Sequence, residues 1–292
     1  MNEEAILIAQ AIDSLRNESS LFRDYMFPMV SGFFSAVLGA WVAYFALKFQ
    51  ERNQLEREKL ITCNEWTITM EGVFQSLIAF KENYCAEVGT HPIQRALSVR
   101  SILGQSKPLG KNVAELSFLV PTKSDPDSVK IKWRSISRIG GLVSNYNSLL
   151  IIWEKRNTFE RPLREKLINS CGDSAFAEIS HAEALKVLGP KDLLSLIDLT
   201  ERAVMLTDDL VLETNNFLEK FPEAAKSVID TRRTKGFGTL IAFSNQENPH
   251  LQKLLARCPE MDCSPLVDLY GIPEERIKEL YGSVYQHEQA TL

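Results

Sequence analysis

Apolar and polar positions follow two regimes along this chain. From Tyr25 to Leu47 the sequence YMFPMVSGFFSAVLGAWVAYFAL carries no acid or base. At helical rise a run of this length spans roughly 30 Å, the thickness of a bilayer's hydrocarbon. Elsewhere apolar residues recur at steps of three and four between polar ones, the period of helices packed along one side. The pattern predicts an all-α fold: a single N-terminal transmembrane helix that continues into a stalk and a cytoplasmic helical bundle. The expected division is a short amphipathic segment at 1–24, the span at 25–47, stalk and first bundle helix at 48–84, and a cytoplasmic α-helical domain at 85–292.

The expected elements follow from local pattern. Residues 3–16 form a short helix with Ile8, Ile12 and Leu15 on one side. After the span, KFQERNQLEREKL contains strong helix formers and neither Gly nor Pro, so the helix runs on. Trp66, Met70, Val73, Leu77, Phe80 and Tyr84 then mark a packed seam. Short helices are expected at 92–103 and 111–119, and Asp125 is placed to cap a long helix at 126–158. Gly140-Gly141 permits a kink or a close helix crossing in it. A hinge covers 159–174. Pro190 opens a helix to 220 with two apolar seams, one through Leu193, Ile197, Val204, Val211, Leu218 and Phe221, the other through Leu196, Leu199, Ala203, Leu206, Leu210 and Phe217. Two seams imply packing on two sides. Pro222 is expected to end that helix, with a short one following to 233. GFGTLIAF, 236–243, reads as a lone strand or an extended buried run, and 249–258 and 273–287 as final amphipathic helices.

The span carries more than its length. Tyr25 at one end and Trp41 and Tyr44 toward the other suit the membrane interfaces. Lys48, Arg52, Arg57 and Lys59 follow it, whereas Arg16 and Arg23 precede it. That excess places the C-terminal side in the cytoplasm. Ser31, Ser35, Gly39 and Ala43 recur every four residues, and small residues at this period let a second helix approach closely where lipid supplies no hydrophobic drive. They form the expected oligomerisation face, and a homo-oligomer is the expected assembly.

Composition narrows the function classes. Hydrophobic content is 45%, charged content 24% and net charge −5 over 292 residues. The proportions are those of a folded protein, and the mildly acidic balance argues against bulk nucleic-acid binding. Five cysteines lie at 63, 85, 171, 258 and 263 without a disulfide spacing, which fits a reducing compartment.

Candidate chemistry is sparse. The chain has no phosphate-binding G-x-x-x-x-G-K-[ST], no H-E-x-x-H and no G-x-S-x-G. None of its four histidines follows an Arg by the five to seven residues that a helical ribonuclease of the HEPN type shows. No enzyme activity, cofactor or metal is expected. Arg232, Arg233 and Lys235 precede Gly236-Phe237-Gly238, a glycine turn whose N–H groups and cations suit an anion. His250, Cys258 and Cys263 are three residues of zinc-ligand type, but their spacing matches no closed site. Asp208, Asp209 and Glu213 share one helix and are expected to face water.

The function that follows is a membrane-anchored interaction or signalling protein, held by the lipid bilayer and acting through an unidentified protein partner. One N-terminal span followed by a helical cytosolic domain also resembles the layout of some bacterial antiviral defence effectors. That resemblance implies an alternative, an oligomeric membrane-perturbing effector of the pore type.

Overall fold

The computed structural model describes residues 3–102, 106–122, 131–171, 180–245, 248–283 and 285, and for 15–23, 171 and 268 the backbone alone. The described residues contain helices, turns and extended segments, and no strand. They divide into two compact units, residues 1–58 with 232–234, and residues 59–231 with 235–292.

The first unit is built on α1 (Glu3–Leu21), a π-helical turn (Phe22–Met26) and the start of α2 (Phe27–Glu82). The π turn has a local cause. Pro28 lacks the N–H that would bond back one α-turn, so the helix widens before it. Over 27–47 every side chain of α2 is exposed, including Phe33 at 67% and Trp41 at 61%. Among the described residues one helix, the run from Asp24 to Glu82, is long and apolar enough to cross a membrane. Ile6, Leu7, Ile8 and Ile12 of α1 are exposed as well.

The second unit forms around α4 (Ile136–Cys171) and α6 (Pro190–Lys226). They run antiparallel: Trp153 donates to Thr207 and Arg156 to Thr200, so residue numbers rise on one helix as they fall on the other. From Leu60 onward α2 buries the expected seam, with Trp66, Met70, Phe74 and Leu77 fully enclosed. It joins residues 139–153 of α4, 203–225 of α6 and α7 (Pro249–Leu255) in the main apolar core. A second core gathers α3 (Pro92–Ser98), Leu163 and Leu167 of α4, α5 (His181–Leu188), the first turns of α6, α8 (Ser264–Tyr270) and α9 (Glu274–Leu280).

Several boundaries differ from expectation. The long helix begins at Ile136 and passes through Pro162 to Cys171, so residues 159–171 are helix and not hinge. Proline inside a helix costs about 3 kcal/mol. Here Glu160, Leu163 and Leu167 are buried on either side of it, and that packing holds the helix together. Likewise α6 continues through a buried Pro222 to Lys226, with Phe221, Ala224 and Ala225 packed around it, and turns occupy 227–229. The helix expected at 111–119 is a 3-10 helix over Val113–Leu119, capped by Asn112. Helices α5 and α8 lie in stretches where none was expected; α5 opens with a capping box between Ser180 and Glu183. The expected Asp125 cap, the remainder of the hinge at 172–174 and the end of the last helix at 286–287 lie outside the described residues.

The 236–243 run is half exposed: it opens in a turn at 236–237 and forms no strand. Asn64 of α2 takes the place of a neighbouring strand: its amide donates to the Thr239 carbonyl at 3.0 Å and accepts from the Ile241 N–H at 2.9 Å.

Candidate functional site

The acids of α6 sit on apolar seams. Ile197, Glu201, Val204, Asp208 and Val211 follow one another at helical steps, and Leu210, Glu213 and Phe217 do the same on the second stripe. Packing therefore buries these carboxylates and the bundle must supply their counter-charges. Asp208, Asp209 and Glu213 are 3%, 1% and 6% exposed, and the expectation that they face water is overturned.

Each acid is met from another element. Lys81, near the end of α2, reaches Asp208 at 2.6 Å and donates to the Ala256 carbonyl at 2.6 Å. Arg95 of α3 pairs with Glu201 at 2.7 Å and donates to the carbonyls of Gly89 and Pro259. Arg257 pairs with Asp209 at 2.5 Å, where Ser283 also donates at 2.6 Å. Glu213 takes Lys132 and Arg138. Lys81 and Arg95 thus act as two buried staples, each joining an α6 carboxylate to a main-chain carbonyl of residues 256–259. The Cys258 N–H completes the join by donating to Asp208 at 2.7 Å.

A cleft of about 330 Å³ opens over this join. Its floor is the Glu201, Val204, Met205 and Asp208 face of α6; residues 257–263 form one wall and the end of α9 with residues 281–283 the other. Arg257 and Lys278 bring exposed cationic side chains to its edge. Burial, then the Asp208 charge, pushes the Cys258 thiol up to about 12, against the opposing pull of Lys81 and Arg95. A thiol in that range is protonated at neutral pH and a poor nucleophile. Burial raises the Glu201 carboxyl, with Arg95 pulling it back. The site's paired charges, thioether and aliphatic floor and cationic rim suit recognition of a small molecule or a peptide side chain.

The other predicted residues fall apart from this cleft or divide around it. Ser31, Ser35, Gly39 and Ala43 are all exposed on α2, and a Cβ on Gly39 would meet nothing within 4 Å. Ser31 donates to the Pro28 carbonyl, so its hydroxyl is satisfied within its own helix. Arg232 and Arg233 belong to the first unit. Arg233 donates to Asn53 at 3.2 Å and lies 5.7 Å from the centre of the Phe49 ring. Gly236 and Gly238 adopt φ of 96° and 148°, a region L side chains rarely enter. His250 pairs with Glu82, Cys258 with Asp208, and the Cys263 thiol with the Met261 carbonyl. The three zinc-type residues are therefore not assembled; among the described residues no group of three or more His, Cys, Asp or Glu is placed to hold a metal ion.

Lys81, Arg95, Glu201 and Arg257 were not among the sequence candidates. For Lys81, Glu201 and Asp208 the signal was present: each is a charge at a step that periodicity assigns to the core. No protein-family model, curated protein or solved structure matches this chain.

Proposed function

We propose that this chain is a membrane-anchored interaction or signalling protein, with residues 25–47 spanning the bilayer and the helical second unit in the cytoplasm. The observation that carries the reading is the complete exposure of the apolar run on α2. A contiguous apolar surface of that extent is stable in lipid or under a partner, not in water. The excess of cations after the run supports the cytoplasmic side for the second unit.

The α6 cleft is the face at which the bundle meets its partner or ligand. Lys81 ties the end of α2 to the floor of that cleft, so an occupant that disturbs the Asp208 join acts directly on the helix that carries the span. The Ser31, Ser35, Gly39 and Ala43 stripe, open along its length, supports association of spans in the membrane. Cross-linking full-length protein in native membranes tests this reading. Dimers or higher species that disappear in Gly39→Leu are expected; monomer alone, with no protein co-purifying, overturns it.

The same open stripe favours a second reading, an assembly of spans that perturbs the membrane in the manner of a pore-type defence effector. Loss of membrane potential on expression, abolished by Gly39→Leu, is its signature. An unchanged potential under every inducing condition removes it.

A further inference from the structure

The basic turn after α6 stands beside a particular part of α2. Arg233 is held between Phe49 and Asn53, and residues 232–234 form one compact unit with residues 1–58. At helical rise Phe49 lies about 3 Å and Asn53 about 9 Å beyond Leu47. A bilayer's hydrocarbon of about 30 Å sits within a total of about 40–45 Å, which leaves roughly 5–8 Å of headgroup layer on each side. Arg233 therefore falls at headgroup depth whenever the apolar run fills the hydrocarbon.

The charge at that depth is net positive. Over residues 48–53 Lys48 and Arg52 stand against Glu51, and Arg232 and Arg233 of the same unit add two more cations. Arg232 is exposed. Lys48 lies 5.7 Å from the centre of the Tyr44 ring, an arrangement of amphipathic side chains suited to an interface. Phe49 is 62% exposed beside Arg233. Cations interleaved with open aromatic rings attract anionic headgroups and sink apolar edges among the upper acyl carbons.

We propose that Arg232 and Arg233, with Lys48 and Arg52 of α2, form a docking site for anionic phospholipid headgroups, a second membrane contact distant in sequence from the span. Arg233 braces the turn against α2 through Asn53, and Arg232, Lys48 and Arg52 meet lipid phosphate. This inference rests on the membrane-anchored reading.

Full-length protein carrying photoreactive p-benzoylphenylalanine in place of Phe49 is reconstituted in vesicles of phosphatidylcholine alone or with phosphatidylglycerol, washed at alkaline pH, irradiated and analysed for lipid adducts by mass spectrometry. Adducts are expected in the anionic vesicles, reduced about fivefold by Arg232→Gln or, separately, by Arg52→Gln, since each cation near such a surface is worth about 1 kcal/mol. Circular dichroism of each variant checks that the bundle is intact. Equal yields in neutral and anionic vesicles, or no effect of either substitution in a folded protein, overturn the inference alone. Protein that fails to stay with the vesicles after the alkaline wash overturns it together with the membrane reading.

Discussion

The first half of α2 and the middle of α6 are helices of opposite logic. Along 27–47, α2 presents large apolar side chains outward and almost no polar group. Between Glu201 and Glu213, α6 buries four carboxylates among aliphatic residues. Composition alone assigns the first to an apolar medium and the second to water. The structure leaves the first fully exposed and overturns the second. The difference lies in what each helix can recruit: an apolar surface needs only an apolar solvent, whereas a buried acid needs a named cation at a fixed distance.

That contrast breaks most sharply at Lys81. Lys81→Ala leaves Asp208 buried without its ammonium, and a stability loss of about 3–5 kcal/mol is expected in denaturant unfolding of the full chain in mild detergent. The double variant Lys81→Met with Asp208→Leu recovers most of that loss, because a well-packed apolar pair replaces the charges. If the single and double variants lose stability equally, the staple is not what binds residues 256–259 to α6.

The same environment sharpens into a reactivity prediction. With its thiol pushed up to about 12 from an ordinary 9.0, Cys258 is expected to alkylate at pH 8 about tenfold or more slower than a free cysteine, the scarcer thiolate outweighing its higher nucleophilicity. Mass spectrometry after timed iodoacetamide exposure checks this. Cys63, fully enclosed and also raised to about 12 by burial, is expected to resist similarly.

A smaller effect is expected where a single side chain stands in for a strand. Asn64→Ala removes both hydrogen bonds to the 239–241 backbone, for a loss of about 1–2 kcal/mol. Faster hydrogen exchange at the Ile241 amide is its local signature.

The smallest concerns pH. The His91 ring stacks on His181 with centroids 3.6 Å apart, and its Nδ1 accepts from the Ile93 N–H at the start of α3. Burial and then His181 lower its pKa, while Asp262 opposes them. A base depressed in the folded state favours its neutral form there, so its contribution is present above its usual value near 6.5 and is lost as pH falls through the lowered one. Melting between pH 7.5 and 5 is therefore expected to drop a few degrees further for wild type than for His91→Asn, which keeps the cap without the titrating ring.

Much of this fold is legible in the residues, and the failures share a cause. The α2 seam from Trp66 to Phe80 and the two faces of α6 follow from period alone. Pro222 reads as a stop and 159–174 as a hinge; the local cost of proline is visible in sequence, while the packing of Leu163, Leu167 and Phe221 that overcomes it is not. The site was half visible. Glu201 and Asp208 fill the missing steps of the Leu193-to-Val211 seam, which marks them as buried acids. Their partners, Lys81 and Arg95, come from more than a hundred residues away, and no local pattern joins them.

The central claim is that lipid covers the apolar half of α2, and alkaline carbonate extraction of membranes from cells expressing the full chain tests it most directly. The account predicts that the protein stays in the ultracentrifugation pellet after the wash and leaves it only with detergent. Recovery of the intact chain in the carbonate supernatant would contradict it.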